Sequence, residues 1–516
     1  MISSQIKAVL DGLRLSKSDG LSRGGNGPMI SINKLTGKVG GFYEKIRYLI
    51  EYKEAHTVRR SAIERILVRV SRSRKEKSIG FSILSDLITG GYLPNNSVVE
   101  QTANDLDTIV NKYAFLRQSG LRGKHAFSLC ATEIEGFLFP QAVNELVAEC
   151  FYKVISANLV YADLIRKNVL DTQIYIACRR SLLDEDNSML MYAVINKNLP
   201  ELRNLDISLP NSGETATRLI SMLSMVESSL TDPSGWRITT QLKDHAISFS
   251  VIREIINDFG ASSESIFDDQ AKLSAKIKEI LGKKYQTQGS IATKSGNRAV
   301  GYILLTKIIL AFILEVPYEK YFLGALEYLP LTTNVVFHPL LLLVIVKTIP
   351  PPGPENTSAI IANIDSIVHN KDIKPIHIKP VRMKTGANIV FGFLYLVLFV
   401  VSFSVILWVL NALYFNIVSI LLFLFFLTLV SYLGFRIRYN ANKWKVNTRD
   451  EGFLSLLWNF FAMPIVHTGQ WLSKRFVTIN IFITIMDFII ETPFKLILGT
   501  FDAFISFLKD KKDNPY

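Results

Sequence analysis

From Phe42 to about Leu281, apolar positions recur at helical spacing, and no strand-like alternation persists long enough to propose a sheet. In His56–Lys77 the apolar positions Ile63, Ile66, Leu67 and Val70 fall on one side. The remainder of that stretch carries Arg59, Arg60, Arg65, Arg69, Arg72, Arg74, Lys75 and Lys77. Further helices are predicted over Thr102–Arg117, Pro140–Ala157, Thr172–Leu183, Thr215–Leu230, Leu242–Phe259 and Glu264–Leu281. Turn-forming stretches such as Gly90-Gly91, Leu93-Pro94-Asn95-Asn96 and Asp232-Pro233-Ser234-Gly235 separate them. Residues 1–41 are rich in Gly, Ser and Lys and read as a flexible tail, because such a composition buries little to offset chain entropy. Gln286–Arg298 is polar and small and reads as a linker.

Beyond Arg298 the pattern changes from periodic to continuous. Four apolar segments follow, at about Ala299–Val316, Leu329–Ile349, Ile389–Ala412 and Tyr414–Leu433. The third spans 24 residues. At about 1.5 Å per residue that exceeds a hydrocarbon core of about 30 Å. The fourth holds no charge. Backbone in lipid must satisfy itself, so these segments are read as helices, the last two as a tight antiparallel hairpin. The first two leave both a full crossing and a re-entrant or kinked pair open, since Lys307 interrupts one and Pro330 and Pro339 the other. Residues 451–516 are read as interfacial amphipathic helices and a short charged tail. Phe453–Val466 is aromatic and apolar. Asn480, Thr484, Asp487 and Glu491 make a narrow polar stripe, and Thr492-Pro493 looks like a helix start.

The fold class is therefore all-α: a cytosolic helical domain over 42–285, then a transmembrane bundle over 299–450. The 516 residues carry a net charge of +13, and 49% are hydrophobic, which excludes a disordered chain. Three scattered cysteines, Cys130, Cys150 and Cys178, exclude a disulfide framework. The N-terminus lacks a signal-peptide core, because Lys7, Asp11 and Arg14 break it. Basic residues concentrate between Lys347 and Lys384 and again from Arg436 to Arg449, which places both termini and the first 300 residues in the cytosol, below the cell membrane.

Candidate chemistry is sparse. Lys307, Asn334 and His338 are polar groups inside apolar segments, where a charge at the bilayer centre costs about 2.5–3.5 kcal/mol on insertion scales. Asp487 and Glu491, one turn apart, are read with them, against the plainer reading of an exposed polar face. The acidic run Asp184-Glu185-Asp186 reads as a solvated loop. The seven histidines show no metal-binding spacing, there is no Cys-x-x-Cys, and no nucleotide-binding glycine motif is present, so no metal or cofactor is implied. One GxSxG match, Gly20–Gly24, lacks the strand before it and the helix after it that a nucleophile elbow needs. The chain is read as a non-enzyme. The basic stretch Arg59–Lys77 is read as a surface for anionic lipid or a protein partner, beside the plainer reading of a solvated helix face. Without interleaved aromatics or a recognition motif it speaks against nucleic acid.

Several stretches carry a resemblance: Arg298-Ala-Val-Gly-Tyr-Ile303, Leu314-Glu-Val-Pro-Tyr-Glu319, His338-Pro-Leu-Leu341, Gly452-Phe-Leu-Ser-Leu-Leu457 and Phe482–Phe494. Together they resemble a family of uncharacterised multi-pass membrane proteins from small-genome candidate-phylum bacteria. The likeness covers about residues 298–510, and Phe42–Asn96 is similar to that family's front end. It implies the membrane architecture and brings no catalytic residue. The functional expectation is a membrane scaffold or assembly protein that sits in the lipid bilayer and recruits protein partners on the cytosolic side. The alternative is a transporter or channel subunit, a homo-oligomer for so few helices, with the intramembrane polar residues lining its path.

Overall fold

The computed structural model describes residues 2–20, 27–31, 55–71, 78–160, 167–209, 212–371, 375–377, 385–446 and 453–478. They form helices joined by turns, plus one parallel pair of two-residue strands, β1 (Leu159–Val160) and β2 (Ile376–His377). The all-α reading holds, with four helices long and apolar enough to cross a membrane, which mark a membrane protein. The chain divides into two compact units. Of the described residues, the first takes 2–273 and 362–377 and the second takes 274–361 and 385–478.

The first unit opens with α1 (Ser4–Gly20), which corrects the tail reading for those residues. Ile6, Val9, Leu10 and Leu13 recur at helical spacing and are all buried, so this short stretch has an apolar face to hide despite its Gly and Ser content. It packs on the helix Ala142–Ala157, and Gly12 lies against Leu146. The following helices are α2 (Ala55–Val70), α3 (Ile79–Thr89), α4 (Gln101–Gln118), α5 (Gly123–Leu138), α6 (Ala142–Ala157), α7 (Lys167–Leu183), α8 (Asn187–Asn198), α9 (Ser212–Thr231), α10 (Pro233–Phe259) and α11 (Glu264–Asp268). Ile63, Leu84, Leu106, Leu129, Leu190 and Leu219 join the faces of six of them in one core. Where α3 meets α4 the backbones nearly touch. A Cβ on Gly80 would lie 2.0 Å from the Ala103 carbonyl oxygen, so only glycine fits there. Ser78 caps α3 by accepting from the Phe81 N–H, and it donates to Asp107 at 2.7 Å.

Residues 362–377 belong to this unit although two apolar helices precede them in the chain. The Ser3 N–H donates to the Val368 carbonyl at 2.7 Å, and the Ile376 N–H donates to the Asn158 carbonyl at 2.9 Å. His369 sits between Asp365 and the Phe267 carbonyl. The returning segment is thus stitched to both ends of the first unit.

The second unit is built from α12 (Gln270–Leu323), α13 (Tyr328–Lys347), α14 (Pro354–Val368, whose first eight residues belong here), α15 (Thr385–Ala412), α16 (Ile417–Ala441) and α17 (Phe453–Thr478). Residues 286–298 are helical within α12, which corrects the linker reading. Gln, Thr, Ser, Ala and Lys are all compatible with helix. Gly296 lets Val346 approach to a distance that a side chain would block. Two π-helical turns, Ala311–Glu315 and Glu319–Leu323, carry α12 past Pro317, whose missing N–H would otherwise interrupt the ladder. Pro339 lies inside α13 without ending it. The helix α17 packs along α16 and α15. A Cβ on Gly469 would lie 2.0 Å from the Thr428 carbonyl oxygen, so the two backbones are in direct contact there. The polar stripe Asn480–Glu491 and the helix expected from Phe494 lie outside the described residues.

Candidate functional site

The sequence singled out Lys307 on α12 and Asn334 and His338 on α13, and the fold brings the three together. Lys307 Nζ donates to Asn334 Oδ1 at 2.6 Å. Asn334 Nδ2 donates to Glu315 Oε1 at 2.7 Å and to the Ser419 carbonyl at 3.3 Å. The Ser419 hydroxyl donates to Glu315 Oε2 at 3.3 Å. One turn on, Glu319 accepts from Asn416 Nδ2 at 2.8 Å and from the Glu327 N–H at 3.1 Å. Asn416 also caps α16 by accepting from the Ser419 N–H. The result is a ladder, Glu319–Asn416–Ser419–Glu315–Asn334–Lys307, running from the end of the bundle where both short turns lie to Lys307, four turns back along α12.

All of its ionisable members are buried, with Lys307 and Glu315 each 1% exposed and Glu319 0%, and His338 beside it is 0% exposed. The ammonium of Lys307 also lies 4.2 Å from the centroid of the Phe426 ring, a cation–π contact. His338 places Nε2 3.0 Å from the Phe423 carbonyl on α16 and Nδ1 3.1 Å from the Asn334 carbonyl on its own helix. Both partners are acceptors, so the nitrogen that carries the proton decides whether the ring donates across to α16 or within α13. Below the ladder, Ala292, Leu342, Val346, Val430 and Ile437 close the bundle with an apolar cluster.

Glu315, Glu319 and Ser419 are the members that the sequence reading passed over. A signal for two of them was present: Lys307, Glu315 and Glu319 are spaced by multiples of four and share a helix face. Glu315 lies inside the predicted segment Ala299–Val316, and Glu319 lies one turn beyond its end. Asp487 and Glu491 lie outside the described residues.

The basic stretch is corrected in part. Helix α2 ends at Val70, and Arg72, Arg74, Lys75 and Lys77 lie outside the described residues. Arg59 is committed to Glu135 at 2.6 and 3.0 Å and stacks on Phe139. Arg60 is buried between Glu64 and Asp186, and Arg69 pairs with Asp86. Arg65 is half-buried. Arg59 and Arg60 hold α2 in place, and Arg69 stays exposed beside Asp86. The same contacts revise the acidic run. Glu185 is buried against Arg179, and Asp186 caps α8 by accepting from the Ser188 and Met189 N–H groups.

The first unit holds no comparable site among its described residues. Its cysteines are buried, and burial pushes the Cys150 thiol up to about 12, far from the thiolate that nucleophilic chemistry needs. An open groove of about 670 Å³ is lined by Pro28, Ser78, Phe81, Val99 and Asn104, with Glu100 its one ionisable group. No three His, Cys, Asp or Glu side chains converge to hold a metal among the described residues. Asn356, which heads a glycosylation-type triplet, is buried and spends its amide on Tyr285, the Trp444 carbonyl and the Val446 N–H. No family model matches the chain, and no curated protein or solved structure matches it either.

Proposed function

We propose that this chain is a membrane-anchored scaffold or assembly protein. The second unit fixes it in the bilayer, and the first unit works on the cytosolic side as the platform for protein partners. The observation that carries the reading is the closure of the polar ladder. Its charges, Lys307 and Glu315, are bridged by a carboxamide, and its acids, Glu315 and Glu319, are linked through Asn416 and Ser419. A carboxamide does not pass protons on at neutral pH, and the apolar cluster ends the ladder at Lys307. Such a set holds helices together; it does not conduct.

The return of residues 362–377 to the first unit supports two crossings by α12 and α13, with the loop after Lys347 on the same side as the first unit. That arrangement agrees with the basic bias of the same loop and with both termini inside. The transporter reading keeps one specific observation in its favour, opposite charges buried within the spans.

The deciding experiment is purification from native membranes, with the mass of the intact particle, followed by flux assays in liposomes. The scaffold reading expects stoichiometric soluble proteins and no flux. A homo-oligomer without partners, with an ion or proton flux abolished by Lys307→Leu, would overturn it. Reporter fusions at Glu327 and His369 test the orientation, and an external His369 would reverse it.

A further inference from the structure

The first unit has four buried cations among its described residues: Arg60, Lys112, Arg179 and Arg180. Three of them are held by carboxylates. Arg60 has Glu64 and Asp186, Lys112 has Glu133, and Arg179 has Glu145 and Glu185. Arg180 has none. It is 7% exposed, in the last turn of α7, and its guanidinium makes one hydrogen bond, to Asn187 Oδ1 at 3.2 Å. Its remaining partner is a ring: the guanidinium carbon lies 4.5 Å from the centroid of Trp236, in the first turn of α10.

Covering a guanidinium without an anion is unfavourable, and the other three positions avoid it. Burial alone pulls the Arg180 guanidinium below its usual range, with no neighbouring carboxylate pushing back. The group is not sealed in. Trp236 is 57% exposed and Asn187 is also exposed, so both groups that hold the guanidinium lie at the surface, within reach of a partner. A planar donor fork stacked beneath an exposed indole combines the two residue types most enriched at the energetic centres of protein interfaces. The fork matches a carboxylate, which accepts two parallel N–H bonds.

We infer that Arg180 and Trp236 form a docking site for an acidic side chain of a partner protein, with the carboxylate on the guanidinium and the partner's chain against the indole. This inference rests on the scaffold reading and names the chemistry of its partner. The net charge of +13 steers an acidic partner in the same sense.

The test uses the full chain in its native membrane, with a benzophenone amino acid in place of the exposed Thr240, one turn beyond Trp236 on α10. Illumination is expected to give an adduct with a protein segment that carries Asp or Glu beside the cross-linked position. Arg180→Gln is expected to cut the yield about tenfold or more. A synthetic peptide copying the captured segment should bind the purified full chain in nanodiscs, and its Glu→Gln form should bind about tenfold more weakly. Thermal unfolding supplies a second readout. Arg180→Gln should leave the midpoint unchanged or raise it, because an uncompensated charge contributes no stability, whereas a structural arginine would lower it. An adduct indifferent to Arg180→Gln, a captured segment without an acid, a lipid adduct alone, or no adduct would each overturn the site. Should partners co-purify equally with wild type and Arg180→Gln, the scaffold reading stands and this site falls. If wild type recovers none, the scaffold reading itself has failed.

Discussion

The two units bury charge in opposite ways. In the first, three of the four buried cations among its described residues meet their anions directly. Arg179 lies between two carboxylates and makes paired bonds of 2.6 and 2.7 Å to Glu185 and two of 2.7 Å to Glu145. In the second, Lys307 and Glu315 never touch, and the amide of Asn334 stands between them, donating to one and accepting from the other. An amide can serve both signs at once because it carries a donor and an acceptor on one rigid plane. It also spreads the bonding over three helices, α12, α13 and α16, where a direct ion pair eight residues apart on α12 would join none. Direct pairing fixes two elements to each other; amide bridging fixes a bundle. In a medium as apolar as the side chains themselves, that polar bonding and close packing carry helix association.

The largest expected effect comes from breaking the direct pairing. Arg179→Ala leaves Glu145 and the buried Glu185 facing a cavity without a counter-charge, and removing one partner of a buried pair costs about 3–5 kcal/mol. Denaturant unfolding of the full chain, followed by protease sensitivity of the first unit, measures it. A loss below 1 kcal/mol would mean that water enters and replaces the guanidinium. Next comes Asn334→Leu, which removes the bridge and strands two charges, for about 2–3 kcal/mol. The comparison sharpens in the double variant Lys307→Met with Glu315→Gln. It removes both charges, so it should unfold in detergent closer to wild type than either single variant does. Equal, additive losses would show that the two ends of the ladder are independent.

Much of the fold was open to reading, and the reason differs by element. Thr102–Arg117 against the observed Gln101–Gln118 is a match of the 3.6-residue period, a local property. The third and fourth apolar segments are equally local. Helix α3 was passed over because Ile79–Thr89 is short, nearly continuous in apolar residues and bounded by turn signals, so period alone does not mark it. The linker reading failed for a related reason: small polar residues do not prefer loops strongly enough to resist the helices on either side. Partners are another matter. Arg59 and Glu135 are 76 residues apart, and Arg60 and Asp186 are 126 apart. Nothing in one sequence says that these charges meet, so a row of arginines looks like a surface although Arg59, Arg60 and Arg69 each pair with a carboxylate. The converse holds in the membrane unit. Lys307, Asn334 and His338 stood out because apolar neighbours make any polar group conspicuous, although which of them touch was decided by the packing of three helices.

A third variant probes the close packing that accompanies amide bridging. Gly469→Leu forces a side chain against the Thr428 carbonyl and pushes α17 off α16, for about 1–3 kcal/mol. Cross-linking between cysteines placed at exposed positions of the two helices should fall with it, while the unfolding of the first unit stays unchanged. Loss of the first unit's structure in the same variant would show that the membrane bundle is not an autonomous anchor.

The smallest effect belongs to a pair that matches Arg179 in bond length but not in its surroundings. Arg218 donates to Glu201 at 2.7 Å, yet the two side chains are 55% and 42% exposed. Water and salt already solvate both groups, and holding two long side chains in one geometry costs rotamer entropy, so the net worth of such a pair is about 0–1 kcal/mol. Arg218→Ala should therefore shift the unfolding midpoint barely beyond error, and the shift should vanish at high salt, where the screening length falls to about 3 Å. Arg179→Ala should keep nearly all its cost under the same conditions. If salt erases both equally, burial is not what separates strong from weak pairing in this unit, and the contrast drawn between direct and bridged charges loses its physical basis.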